Sequence, residues 1–326
     1  MKNKNRGWVI LVIFQIILII GLAIMIVLRI DSPSLVPIIN HLDSNNFVFY
    51  STKNKTNSLK YFYELSPNII VKDTLPWLKN ITQQTINTDA LNESTEYEIK
   101  KKDGVFRIIT LGDSFTYSPF INTRDNWTEL LERKLNDSCK NMKKYEVINL
   151  GVSGYDIEYS VQRYMIRGKK YNPDMILYFL KNDDIDIVSE EANDYMHTHL
   201  KSGDPISKEI IIQSQEYMKK RIPRPQAIDR EINALHKMGE IYSGKIIFFN
   251  MFSFDRDIFE RLSSFVRQNE NLTMITKSQI ESPYSNMASS KYSYAPWDYH
   301  PNPEGHKEIA NSIFNYFLTH NLISCK

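Results

Sequence analysis

Val105–Leu111 reads VFRIITL and runs straight into Gly112-Asp113-Ser114-Phe115-Thr116. A short run of Ile, Val, Leu and Phe closed by a glycine suits a buried strand that ends in a tight turn. The same grammar recurs downstream. Tyr145–Leu150 (YEVINL) precedes Gly151-Val152-Ser153-Gly154, Asp174–Leu180 (DMILYFL) precedes Lys181-Asn182-Asp183-Asp184, and Lys245–Asn250 (KIIFFN) follows. Leu272–Thr276 is a fifth, shorter candidate. Between these runs the apolar residues take helical spacing: Trp127, Leu130, Leu131 and Leu135; Ile157, Val161, Tyr164 and Met165; Ile258, Leu262, Phe265 and Val266. Strand alternating with helix predicts a parallel sheet covered on both faces. Asp184 to about Ser243 is too long for a simple crossover and reads as a helical insertion near the loops.

Upstream the character changes. Trp8–Leu28 (WVILVIFQIILIIGLAIMIVL) holds Gln15 as its one strongly polar residue. As a helix it spans about 30 Å, the thickness of a hydrocarbon core. No small-residue cleavage pattern follows it, so it reads as an uncleaved anchor. Lys2, Lys4 and Arg6 precede it and only Arg29 follows closely, which predicts a cytoplasmic N-terminus and an extracytoplasmic remainder. Residues 31–102 mix prolines and polar residues with Phe47, Phe49, Tyr61, Phe62 and Tyr63, and read as a juxtamembrane stalk partly packed on the main domain at 103–326. A net charge of +2, with both signs interspersed, argues against a nucleic-acid surface. Cys139 and Cys325 are the two cysteines; they offer no metal-ligand spacing and at most one bridge.

In a parallel α/β sheet, ligands bind beyond the carboxyl ends of the strands. Ser114 stands at the first such end, where the short G-D-S by itself reads as an ordinary turn or N-cap serine or as a nucleophile. Gly151 and Gly154 after the second strand either close a turn or bring backbone N–H groups toward a developing oxyanion. Asn182 after the third offers a side-chain donor, or simply caps a turn. Near the C-terminus stands Asp298-Tyr299-His300-Pro301-Asn302-Pro303-Glu304-Gly305-His306. Asn302-Pro303 predicts a helix start, with Ile309, Ile313 and Phe317 as its buried stripe. His300 is then held just before an anchored helix, where the Asp298 carboxylate reaches its Nδ1–H and leaves Nε2 as a base. His306 reads as structural. A metal set of Asp298, His300 and His306 lacks a fourth ligand nearby.

Taken in order, G-D-S-F-T, N-x-G-x-x-G, K-N-D and D-x-H-P-N-x-x-G-H resemble the four motif blocks of the SGNH/GDSL hydrolases, over about Val105 to the C-terminus. The resemblance implies a flavodoxin-like three-layer α/β/α sandwich that needs no metal or cofactor. It implies Ser114 as nucleophile, His300 as base and Asp298 as its orienting acid. The oxyanion hole would comprise the Ser114 and Gly154 N–H groups and the Asn182 side chain. Two positions depart from the usual pattern. Leu180 stands where the third block commonly has glycine, and Trp297 stands where the last commonly has its acid. The expected activity is ester hydrolysis by an acyl-enzyme, on O-acetyl or other acyl groups of a surface glycan. Transfer to a sugar hydroxyl, lipid ester hydrolysis and a non-catalytic glycan-binding or assembly module are the alternatives.

Overall fold

Apolar runs that are buried on both faces form the centre of the molecule. The computed structural model describes residues 47–51, 59–139, 143–200, 208–280, 282, 284, 289–323 and 325. Its strands are β1 (Phe47–Ser51), β2 (Tyr61–Leu65), β3 (Ile69–Asp73), β4 (Thr82–Ile86), β5 (Val105–Leu111), β6 (Lys144–Asn149), β7 (Met175–Phe179), β8 (Lys245–Phe249) and β9 (Leu272–Ile275). The helices used below are α1 (Ser114–Tyr117), α2 (Trp127–Ser138), α3 (Ile157–Arg163), α4 (Ser189–His199), α5 (Lys208–Arg221), α6 (Arg224–Ile241), α7 (Arg256–Arg267) and α8 (Pro303–Thr319).

β5 to β9 form a five-stranded sheet in the order β6-β5-β7-β8-β9, and every pairing is parallel. Alternate residues serve opposite layers. Ile109, Ile148, Ile176 and Phe248 pack with α3, α6 and α7. Ile108, Val147, Leu177 and Phe249 pack with α2 and α8. Two apolar faces explain why these strands read as continuous hydrophobic runs rather than as an alternation. Truncating such a residue, Leu177→Ala for example, costs about 2–5 kcal/mol. The expected α/β sandwich with a parallel sheet is therefore present. One helical face differs from its sequence pattern. After α3 the backbone passes into a π turn at Tyr164–Gly168, and Met165 leaves the buried stripe to stand 43% exposed. The extra residue in that turn shifts the register.

Residues 59–65 lie against the loop that follows β6, while Glu98, Ile99 and Lys101 reach Arg107 and Asp174 at the amino end of the sheet. β2 pairs antiparallel with β1, and β3 with β4. Phe62, Tyr63 and Leu65 share a buried cluster with Val152, Tyr155 and Tyr159. Glu64 makes a buried ion pair with Arg163 and a second, at 2.9 Å, with Arg167. Cys139, at the end of α2, is disulfide-bonded to Cys325. Among the described residues no helix is long and apolar enough to cross a membrane; the anchor expected at Trp8–Leu28 lies outside the described residues.

Candidate active site

β5, flanked by β6 and β7, is the strand on which the site is built. At its end Gly112 has φ +146°, and a Cβ there would lie 2.3 Å from Thr116 Oγ1 and 2.9 Å from the Phe179 carbonyl oxygen. Only glycine makes this turn without displacing its neighbours. Asp113 then caps α1, its Oδ1 accepting from the Phe115 N–H at 2.9 Å, and Ser114 is the first helical residue. Asn149 ties this turn to the next strand end. Its Nδ2 donates to the Thr116 carbonyl at 2.8 Å, and its Oδ1 accepts from the Gly151 N–H at 2.9 Å. The asparagine of N-x-G-x-x-G is thus a brace that fixes the two loops against each other.

His300 reaches Ser114 from the opposite end of the domain sequence. Asn302 caps α8 by accepting from the Glu304 and Gly305 N–H groups, both at 3.0 Å. The loop before that cap is pinned where the Tyr294 N–H donates to the His300 carbonyl at 3.2 Å. His300 Nε2 lies 2.7 Å from Ser114 Oγ, and its Nδ1 lies 2.6 Å from Asp298 Oδ1. The same Oδ1 also accepts the His300 backbone N–H at 2.7 Å. With Nδ1–H donating to the carboxylate, Nε2 carries the lone pair that faces the hydroxyl. The ring packs against Phe115 and Phe120, with centroids 4.9 and 5.8 Å away. A D-x-H spacing therefore brings the carboxylate to the imidazole, and Trp297 stands 63% exposed. His306 is separate: its Nδ1 accepts the Trp127 N–H at 3.2 Å. Burial, with a smaller contribution from His300, lowers its pKa to about 3, so it is a neutral core acceptor.

A cavity of about 120 Å³ opens beside Ser114, lined among others by Gly154, Tyr63 and Asp183. The backbone N–H groups of Ser114 and Gly154 donate to no acceptor among the described residues. Gly154 has φ +79°, and a Cβ there would meet the Tyr63 hydroxyl at 2.9 Å. That hydroxyl donates to the Ser153 carbonyl at 2.8 Å, so a side chain of the N-terminal segment holds the Gly154 loop in place. Nothing in the sequence pattern of residues 59–65 signals this role.

Asn182 does not join these donors. Its Nδ2 donates to the Ser253 carbonyl at 3.3 Å and to Asp255 Oδ1 at 3.2 Å, while its Oδ1 accepts the Asp255 N–H at 3.0 Å. The expectation of a side-chain oxyanion donor at this position is corrected accordingly. The cause is Lys181. Its Nζ lies 2.7 Å from Asp113, 2.8 Å from Asp183 and 3.4 Å from Asp184. Gathering those carboxylates fixes the turn with Asp183 toward the cavity and Asn182 away from it. Burial opposes the lysine's charge, but the three carboxylates outweigh it and hold its pKa well above the usual lysine range. Burial likewise opposes ionisation of Asp183, and the ammonium outweighs it, lowering that pKa. Asp113, Asp183 and Asp184 have carboxylate spacing suited to a cation; the cation among them is Lys181.

No family model matches the sequence, and no curated protein matches it. Among solved structures, the psychrotrophic esterase EstA from Pseudoalteromonas sp. is similar at 14% identity and TM-score 0.44, over 67% of this chain and 99% of that one. A lipase/acylhydrolase from Enterococcus faecalis is similar at 16% identity and TM-score 0.41, over 68% and 98%. An acetyl xylan esterase, AlAXEase, is similar at 16% identity and TM-score 0.39, over 64% and 98%.

Proposed function

We propose that this chain is a serine esterase of the SGNH/GDSL type, acting on O-acyl groups of a surface glycan. The observation that carries the reading is the buried line Asp298–His300–Ser114, with bonds of 2.6 and 2.7 Å, ending at a cavity. His300 Nε2 takes the Ser114 hydroxyl proton as Oγ forms a bond to the ester carbonyl carbon. The carbonyl oxygen becomes an oxyanion between the free Ser114 and Gly154 N–H groups. Donors of this kind are worth about 3–4 kcal/mol of transition-state stabilisation each. The bond to the leaving alkoxide then breaks, and imidazolium returns the proton to it. Water, activated by the same Nε2, releases the acid and restores the serine.

Location supports the substrate reading. Trp8–Leu28 is apolar enough to anchor the chain, with Lys2, Lys4 and Arg6 on its N-terminal side. The Cys139–Cys325 disulfide suits an oxidising, extracytoplasmic compartment. A fluorophosphonate probe tests the chemistry. Labelling of the wild type but not of Ser114→Ala or His300→Ala is the expected result. A folded wild type that resists labelling would return the chain to the class of non-catalytic binding modules.

A further inference from the structure

We propose that α4 and α5 form an acyl-binding wall, and that the enzyme prefers uncharged acyl groups of about four to six carbons over acetyl. This rests on the esterase reading above and names the acyl half of its substrate. The cavity beside Ser114 is lined by Ile187, Ala192, Met196 and Ile211, drawn from α4, α5 and the turn before them. Helices α4 and α5 arise in the long segment between β7 and β8, where a simple crossover needs only α6. An apolar chamber continuous with the nucleophile has an obvious occupant, the carbon chain attached to the reacting carbonyl.

Size and rigidity set the range. An engineered apolar cavity of about 150 Å³ accommodates benzene. The 120 Å³ here therefore suits a chain of about four to six carbons, counting the carbonyl. Acetyl would leave most of that apolar surface uncovered. The wall is also fixed to the oxyanion loop. The Ser189 N–H donates to Asp156 Oδ2 at 2.6 Å, and the Ser189 hydroxyl donates to the Gly154 carbonyl at 3.0 Å. Two polar groups on the lining are already engaged: Ser214 donates to the Ile211 carbonyl at 2.7 Å and Asn193 to the Tyr159 hydroxyl at 2.9 Å. Burial pushes the Asp184 carboxyl well above the usual carboxylate range, which leaves Asp113 and Asp183 against one Lys181 ammonium at the Ser114 end. Their excess of negative charge repels an acyl chain that ends in a carboxylate.

The test is hydrolysis of p-nitrophenyl acetate, butyrate, hexanoate, dodecanoate and hemisuccinate by the detergent-solubilised full chain, with Ser114→Ala as background. Each methylene seated in the chamber raises kcat/KM about fourfold. Butyrate should then exceed acetate by about fifteenfold, with dodecanoate and hemisuccinate well below butyrate. Ala192→Phe fills the chamber and should bring the butyrate-to-acetate ratio to one or below. Met196→Ala enlarges it and should move the optimum to longer chains, an outcome readable even if the phenylalanine variant does not fold. Ser114-dependent turnover with acetate equal to or better than butyrate would overturn the acyl wall and leave the esterase intact. Turnover of none of these esters above the Ser114→Ala background would overturn both.

Discussion

Replacing Asp298 by asparagine separates charge from geometry at the base. Asp298 Oδ1 accepts both the Nδ1–H and the backbone N–H of His300, at 2.6 and 2.7 Å. In Asp298→Asn those convergent donors favour the carboxamide oxygen at the same point, so the productive tautomer is retained while the charge is lost. The carboxylate faces an imidazolium in the transition state. Opposite charges about 4 Å apart at an effective dielectric near 20 interact by about 4 kcal/mol. At 1.36 kcal/mol per decade, the expected loss in kcat is about 10³-fold. Asp298→Ala removes the acceptor as well, leaves a buried N–H unpaired and should lose about tenfold more. The assay is the rate of p-nitrophenyl butyrate hydrolysis beside the rate of fluorophosphonate labelling, since both need the activated serine. Asn and Ala variants that label and turn over within tenfold of wild type would refute Asp298 as the acid. Equal losses in the two variants would instead mean that the carboxamide has turned its nitrogen to the imidazole.

Lys181→Met should leave Asp113, Asp183 and Asp184 buried without a counter-ion and cost about 3–5 kcal/mol in urea unfolding; a loss below about 1 kcal/mol would show that the cluster neutralises itself by protonation. Burial holds Glu132 at about pH 7, with Glu129 and Glu146 adding to the rise against the Val147 N–H and the Tyr97 hydroxyl. Because its folded pKa exceeds the unfolded one, its contribution is complete below about pH 4 and is lost as pH rises through about 7. Glu132→Gln should therefore match wild type in Tm at pH 5 and exceed it at pH 8, whereas a variant less stable at both would place the carboxylate's hydrogen bonds above its burial. The disulfide closes a chain separation of 186 residues, worth up to about 5 kcal/mol in the chain-entropy account. Cys139→Ser with Cys325→Ser should lower the urea midpoint, and an unchanged midpoint would show that the reduced chain is already held by packing of α2 on α8.

Different physical signals made different parts of this molecule legible. The strands of the sheet announce themselves because Ile108 and Ile109, or Ile176 and Leu177, face opposite apolar layers, and the run stands out from its surroundings. Ser114 and Gly154 were legible for a related reason. Each follows an element end that the pattern fixes, and the sheet's direction decides that all such ends meet on one edge. The α8 cap does the same for His300, since Asn302-Pro303 can be read as a helix start without knowing what the helix packs on.

Asn182 was misread because a side chain's direction in a turn depends on its neighbours in space rather than on its distance from the strand. The deciding neighbour, Lys181, is a residue type that usually marks a solvated face, yet its side chain is 7% exposed among three carboxylates. No local pattern separates those two fates, because the counter-ions come from both the Ser114 turn and its own. The role of Tyr63 was hidden for a different reason. β2 carries aromatic residues whose burial comes from distant parts of the chain, the Gly154 loop and α3. The site thus combines a motif-bearing edge fixed by local sequence with walls supplied by Tyr63 and by residues of 187–196 and 211–215. In the proposed esterase the edge would carry the reaction, and these walls, which the motifs do not encode, bound the space beside Ser114.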